Sequence, residues 1–489
     1  MFSDNFLRVF AVDGDSIIEA LTSLLALRIY FILFCALVIG ITIASLVAAH
    51  KKENNIEVSR KVINGKVLTE EKIKKANGKV IDRNITKEDL DTGEAMPIVM
   101  DTTAANSSLA TPIPVQNSTT ETENKGAKEG ASRFPTLASI DESHPYLTRV
   151  KCDPSLTLAS FCDNFRGYMA GELSLYYSNK DVRAFVASLC TSKIILLQGM
   201  SGTGKTSLPV AFGKFISETT SVVPVQPTWK ERSDLLGYYN EFTGKFSETP
   251  LLSALYAAGT TDSVRLVVLD EVNIARIEYY FAEFLSLLEL PDENARVLSI
   301  APSGMPNDPK RMVNGSMLLP ENVFFIGTAN NDDSTFAISD KVYDRASVMD
   351  LDRRAEPFHA EGYEQKNLSM QRLKRLNAEA QRRYALTERD LRKIGELDAF
   401  LRSSFRVSFG NRILRQIKTF VPAYVACGGR AEEALDLILA KKVLRKLSSC
   451  NPVLVKAKSK DLRDTIITLF GESNSEECLY AVRKIAENS

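Results

Sequence analysis

The stretch Gly199-Met-Ser-Gly-Thr-Gly-Lys205-Thr206 meets the phosphate-loop pattern G-x-x-x-x-G-K-[ST] at every fixed position. The apolar run Lys193-Ile-Ile-Leu-Leu-Gln198 ahead of it predicts a buried strand, and residues 207–218 predict a helix. That strand–loop–helix context separates the motif from a chance glycine-rich turn. Glycines let backbone N–H groups turn inward around a triphosphate, and the helix start adds the positive end of its dipole. Gly199, Ser201, Gly202, Thr203, Gly204, Lys205, Thr206 and Ser207 are the expected nucleotide-binding residues. Lys205 would reach the β- and γ-phosphates, and the Thr206 hydroxyl would bind Mg2+.

Phosphoryl transfer to water also needs carboxylates. Arg265-Leu-Val-Val-Leu-Asp270-Glu271 reads as an apolar strand ending in two of them, some 65 residues after Lys205. Asp270 would hold Mg2+, directly or through water, and Glu271 would orient and polarise the attacking water. A third strand, Val323-Phe-Phe-Ile-Gly-Thr-Ala-Asn330, ends in an amide suited to touch both that water and the γ-phosphate. Downstream, Arg345 offers a cation for transition-state charge. Arg412 opens an amphipathic segment whose Ile413, Ile417, Phe420 and Tyr424 share one helical face, and it could reach back to the γ-phosphate. Asn273 and Arg276, just past the carboxylates, are weaker candidates for the same site.

Together these segments resemble the AAA+ ATPases, and within them the McrB-like and MoxR-like branch. The resemblance spans roughly residues 154–447. It is carried by GMSGTGKTSLP (199–209), WKERSDLLGYYNEFTGKF (229–246), LVVLDEVNIARIEYYFAEFLSLLE (266–289), FFIGTANNDDSTFAISDKVYDRA (324–346) and FGNRILRQI (409–417). It implies an α/β core, a parallel sheet flanked by helices, with a C-terminal α-helical lid. It further implies ATP and Mg2+ as ligands, Asn330 as the sensor-1 residue, Arg345 as a finger acting in a neighbouring subunit, and Arg412 as the sensor-2 arginine. Such proteins usually form hexameric rings. Residues 229–246, with a hairpin tip near Thr243-Gly244-Lys245, and residues 301–318 correspond to the family's substrate-facing inserts. The stretch Ala329-Asn330-Asn331-Asp332-Asp333-Ser334 departs from the usual pattern of McrB, a GTP user, and ATP is the expected nucleotide.

Composition bounds the rest. Lys+Arg and Asp+Glu are both 61 in 489 residues, so no overall field favours nucleic acid. Seven cysteines are scattered without C-x-x-C pairs, and three histidines are too few for a His-based metal centre. The uncharged run at 29–49 is long enough for the ~30 Å hydrocarbon core, which predicts one transmembrane helix. Lys51, Lys52, Arg60 and Lys61 outnumber Arg8 and Arg28, a bias that puts the C-terminal side in the cytoplasm and would suit a bacterial inner membrane.

The expected organisation is therefore an amphipathic segment at 1–28, a span at 29–49, a polar linker at 50–145, an ATPase core at 146–355 and a helical lid at 356–489. As a coil of about 95 residues the linker would reach roughly 55 Å. Within it, Asn64-Gly-Lys-Val67 and Asn77-Gly-Lys-Val80 echo each other as tight turns of a small β element. The functional expectation is a membrane-anchored ATPase remodelling or assembling a protein client. Two alternatives stand beside it: a McrB-like restriction NTPase acting on DNA with a separate nuclease, and a nucleotide-binding switch without turnover. No DNA-recognition domain or nuclease motif is evident to favour the second, and the intact carboxylates, Asn330 and Arg345 argue against the third.

Overall fold

The computed structural model of the protein describes residues 60–63, 66–69, 132–330, 335–352 and 355–487. They belong to two compact units, 1–120 and 121–489. In the first, Arg60–Ile63 and Lys66–Thr69 pair antiparallel with Ile63 opposite Lys66, flanking one of the two Asn-Gly echoes. The expected span at 29–49 and the second echo lie outside the described residues. Among the described residues, no helix is long and apolar enough to cross a membrane.

The second unit is built on five parallel strands: β1 (Ile194–Gly199), β2 (Ser221–Pro224), β3 (Arg265–Asp270), β4 (Val323–Asn330) and β5 (Ser347–Asp350). Their order across the sheet is β5-β1-β4-β3-β2. The runs are continuously apolar because helices cover both faces of a parallel sheet. Ile195, Leu197, Phe324 and Ile326 enter one buried cluster. Their neighbours Ile194, Leu196, Val323 and Phe325 enter the other, as the two-residue strand period requires. β4 sits between β1 and β3, with Asn330 opposite Gly199 and Gly327 opposite Leu269. That order brings the carboxyl ends of three strands distant in sequence to one edge, where open α/β sheets bind ligands.

The helices follow the expected pattern with three differences. First, α1 (Pro135–Ser143) lies in the stretch expected to be linker, yet it is packed into the second unit. Phe134 and Leu137 are fully buried, and the Glu248 carboxylate accepts from Thr136 N and Leu137 N, satisfying donors at the helix start. Polar composition hid this helix, because two apolar side chains and a distant carboxylate hold it.

Further along, α2 (Leu158–Leu173) and α3 (Asn179–Thr191) precede β1, and α4 (Ser207–Phe215) follows the phosphate loop. Second, residues 355–369, expected to begin the helical lid, form an irregular strap. Phe358 lies under the Arg166 guanidinium at 3.7 Å and edge-on to Tyr176, while the Tyr363 hydroxyl donates to Glu172 at 2.9 Å.

Regular C-terminal helices begin with α5 (Met370–Arg383) and continue through α6 (Glu388–Phe405), α7 (Asn411–Ala426), α8 (Ala431–Ile438), α9 (Pro452–Phe470) and α10 (Glu476–Glu487). Third, the helix that starts at Ala431 is α-helical to Ile438 and continues as a wide π-helical turn (Leu439–Val443) and a tight 3-10 one (Leu444–Ser449). Ile413, Ile417, Phe420 and Tyr424 are all buried, in the same cluster as α2 and one face of the sheet.

Both inserts take β form. Gly237–Asn240 and Lys245–Glu248 pair as a hairpin whose tip presents Phe242 fully to solvent. Val297–Ser299, Met312–Val313 and Ser316–Leu318 make a three-stranded sheet turned at Asn314-Gly315. Both turn residues have positive φ, +51° and +74°, the pairing that suits a two-residue hairpin turn.

Candidate active site

The phosphate loop leaves β1 at Gly199, whose φ of +145° carries the chain past the backbone of Leu351; a Cβ there would stand 2.6 Å from the Leu351 carbonyl oxygen. Gly204 (φ +90°) is pressed against Tyr177, whose hydroxyl donates to the Gly204 carbonyl at 2.9 Å and would lie 2.5 Å from an added Cβ. Tyr177 is buried, and burial raises its phenol well above the ordinary range, so it acts as a neutral donor. Lys205 is buried too, its ammonium donating to the carbonyls of Gly199 (3.0 Å) and Met200 (2.6 Å). Thr206 and Ser207 begin α4, so the helix start faces the loop.

At the same edge β3 delivers Asp270 and Glu271. The Thr206 hydroxyl donates to Asp270 Oδ1 at 2.8 Å, and the Thr328 hydroxyl donates to the same oxygen at 2.7 Å. Thr328 also accepts from Glu271 N at 2.9 Å. Glu271 is a non-glycine residue with φ +57°, a conformation that costs on the order of 1 kcal/mol or more and persists only where its surroundings enforce it. Asn330 Nδ2 donates to Glu271 Oε1 at 3.3 Å, so the amide at the end of β4 meets the second carboxylate. Asn273 is buried; its Nδ2 donates to the Asn330 carbonyl and to Thr335 Oγ1, both at 2.8 Å, which fixes the end of β4. Arg276 instead stacks over Phe336 at 5.0 Å.

These groups line one cleft of about 680 Å3, walled by residues 174–177 and 201–207, by Asp270, Glu271, Thr328 and Asn330, and by Ala355 and Pro357 of the strap. It has the size of a small-molecule site. Its chemistry fits a nucleoside triphosphate with Mg2+. Backbone turns approach closely at the glycines, a lysine stands in the loop, and a hydroxyl and a carboxylate in contact form the kind of oxygen set Mg2+ takes beside phosphates.

The two arginines lie elsewhere. Arg412 Nη2 pairs with Glu289 Oε2 rather than reaching the phosphate loop. Arg345 approaches the same carboxylate, Nε to Oε1 3.7 Å, and donates from Nη1 to the Leu285 carbonyl at 2.7 Å. Neither lines the cleft. Residues 331–334, next to Asn330, are outside the described residues.

Two contributors escaped the sequence reading. Thr328 is a polar residue within the otherwise apolar β4, two positions before Asn330 and therefore on the same face of the strand; that mismatch was a visible signal. Tyr177 carried none, since its role depends on where the chain before α3 crosses the loop.

No curated protein matches the chain. The family profile described as "AAA domain (dynein-related subfamily)" matches residues 194–346, from the start of β1 to the residue before β5. The matched segment therefore contains the phosphate loop, both carboxylates and Asn330, in the parallel sheet described above. Residues 194–346 are an AAA-type ATPase domain of the phosphate-loop nucleotide-hydrolase class.

Proposed function

We propose that this chain is a membrane-anchored AAA+ ATPase of the McrB- and MoxR-like branch that couples ATP hydrolysis to remodelling or assembly of a protein client, working as a hexameric ring. The observation that carries the hydrolytic part is the contact set Thr206–Asp270–Thr328–Glu271–Asn330 beside the phosphate loop. With ATP bound, Glu271 would take a hydrogen bond, and then the proton, from the water attacking the γ-phosphorus as the bond to the leaving ADP oxygen breaks. Asn330 would orient that water, and Lys205 would offset charge on the β- and γ-phosphates. Mg2+, held by Thr206 and Asp270, would supply the remaining charge neutralisation.

Support for a ring comes from what the cleft lacks among the described residues. Lys205 is the cation lining it, while Arg345 and Arg412 stand together on Glu289, outside it. A neighbouring copy supplying these arginines would complete the site. Support for the anchor is the uncharged run at 29–49 and the basic residues after it. Support for a protein client is the pair of β inserts, one ending in the exposed Phe242, with balanced overall charge.

The test uses the full-length chain. Turnover of ATP that Glu271→Gln abolishes and double-stranded DNA leaves unchanged is the expected result. Mixing Glu271→Gln with Arg345→Ala chains, each inactive alone, should restore part of the activity, because one keeps the arginines and the other the cleft. Absence of recovery would refute completion in trans, and GTP preference or strong salt-sensitive DNA stimulation would favour a restriction-type NTPase instead.

A further inference from the structure

Thr328 occupies an unusual place in the hydrogen-bond pattern. It is 2% exposed, on a strand otherwise buried through apolar packing. Its hydroxyl has one hydrogen, which goes to Asp270 Oδ1, so the lone pairs are what Glu271 N meets. Its carbonyl accepts Val272 N at 2.8 Å, so main chain and side chain together clasp both flanks of Glu271. Between those two bonds lies the left-handed φ of +57°. The result on Asp270 is equally directional. Both hydroxyls, from Thr206 and Thr328, converge on Oδ1, and Oδ2 takes no hydrogen bond among the described residues.

We propose that Thr328 is a positioning residue for the hydrolytic step, its single hydroxyl orienting the Asp270 carboxylate and holding Glu271 in the left-handed conformation that aims its side chain at Asn330. The inference rests on the hydrolytic reading of this site and extends it to a residue whose hydroxyl is engaged by Asp270 and Glu271 N. Removal of the hydroxyl leaves Asp270 with one donor instead of two and Glu271 N with no acceptor. The Glu271 backbone can then relax toward ordinary φ, which turns the carboxylate away from Asn330. Phosphate binding, which depends on residues 199–207, is left in place.

The experiment compares Thr328→Val, which keeps shape and removes the hydroxyl, with Thr328→Ser, which keeps the hydroxyl, in the full-length protein. Thr328→Val should lower kcat about 10- to 100-fold, the usual effect of losing a group that orients a ligand or acid, with KM for ATP within about threefold of the unmodified chain. The Mg2+ concentration for half-maximal activity should rise about tenfold, through the loosened Asp270. Thr328→Ser should restore kcat to within about threefold of the unmodified chain. A valine variant with unchanged kcat, or a loss that serine does not repair, would overturn the assignment. If valine disturbs folding, seen as lost binding of a fluorescent ADP analogue, serine decides alone: activity kept supports the role and activity lost refutes it. Glu271→Gln run in parallel separates the two levels, since full turnover in that variant refutes the hydrolytic reading itself.

Discussion

Breaking the Arg133–Asp308 pair should loosen the N-terminal end of α1, where it meets both inserts, while leaving the nucleotide cleft intact. Arg133 Nε and Nη2 each donate to one Asp308 oxygen at 2.8 Å, and both side chains are only 5% exposed. The guanidinium also donates to the Ser303 carbonyl and lies within 6 Å of the Phe134 and Tyr239 rings, at 5.3 and 5.9 Å. Removing one partner of a buried pair costs about 3–5 kcal/mol, because the other charge is left behind in a poorly solvating site. Asp308 keeps one donor, Met305 N at 2.9 Å, which argues for the lower end. An opening made about 3 kcal/mol easier corresponds to roughly 150-fold faster exchange of the amides it exposes.

Those amides can be named: Phe246 N, bonded to the Arg133 carbonyl at 2.8 Å, and Thr136 N and Leu137 N, bonded to Glu248. In Arg133→Met, hydrogen exchange at these three positions should accelerate about 100-fold, while amides of β4 keep their protection. Replacing both partners, as Arg133→Met with Asp308→Leu, should recover most of the loss, since an apolar pair strands no charge. Acceleration below about threefold in the single variant, or a double variant no better protected than the single, would refute the reasoning. The experiment also reports whether α1 ties the two inserts together, because Asp141 at its far end pairs with Arg311 at 2.7 Å and accepts from Lys310 N and the Tyr256 hydroxyl.

Two further outcomes follow from the site and the lid. Tyr177→Phe removes the bond to the Gly204 carbonyl, worth about 1 kcal/mol, so nucleotide affinity measured by titration should fall about fivefold with kcat little changed; an equal loss in kcat would point to a chemical role for the hydroxyl instead. Lys442 is buried with its ammonium on the carbonyls of Tyr343 and Ala346, and burial brings it down to about 7. The unfolded chain, with an ordinary lysine near 10.4, then binds more protons than the folded one between these values, so this contribution to stability is lost as pH falls from about 10 to about 7. Across pH 7 to 9 Lys442 should add about 2 kcal/mol of stability that Lys442→Met lacks, and parallel unfolding profiles for the two proteins would contradict it.

Much of the site was legible in the chain itself. The phosphate loop, the strand ending in Asp270-Glu271 and the strand ending in Asn330 are local patterns, in which a continuous apolar run and a glycine-rich turn act over fewer than ten residues. The apolar face of Ile413, Ile417, Phe420 and Tyr424 belongs to the same class, since helical spacing alone commits these residues to burial. What only the tertiary structure decided are contacts between segments far apart in sequence. The strand order puts β4 beside both β1 and β3, and through it Thr328 reaches Asp270 and Asn330 reaches Glu271. Tyr177 meets the phosphate loop, and Arg345 and Arg412 share Glu289, through packing that no local pattern encodes. The helix in the polar stretch before residue 145 and the irregular strap at 355–369 have the same origin. In both, a few long-range bonds outweigh local composition, because a buried polar group must find its partner wherever the fold brings one.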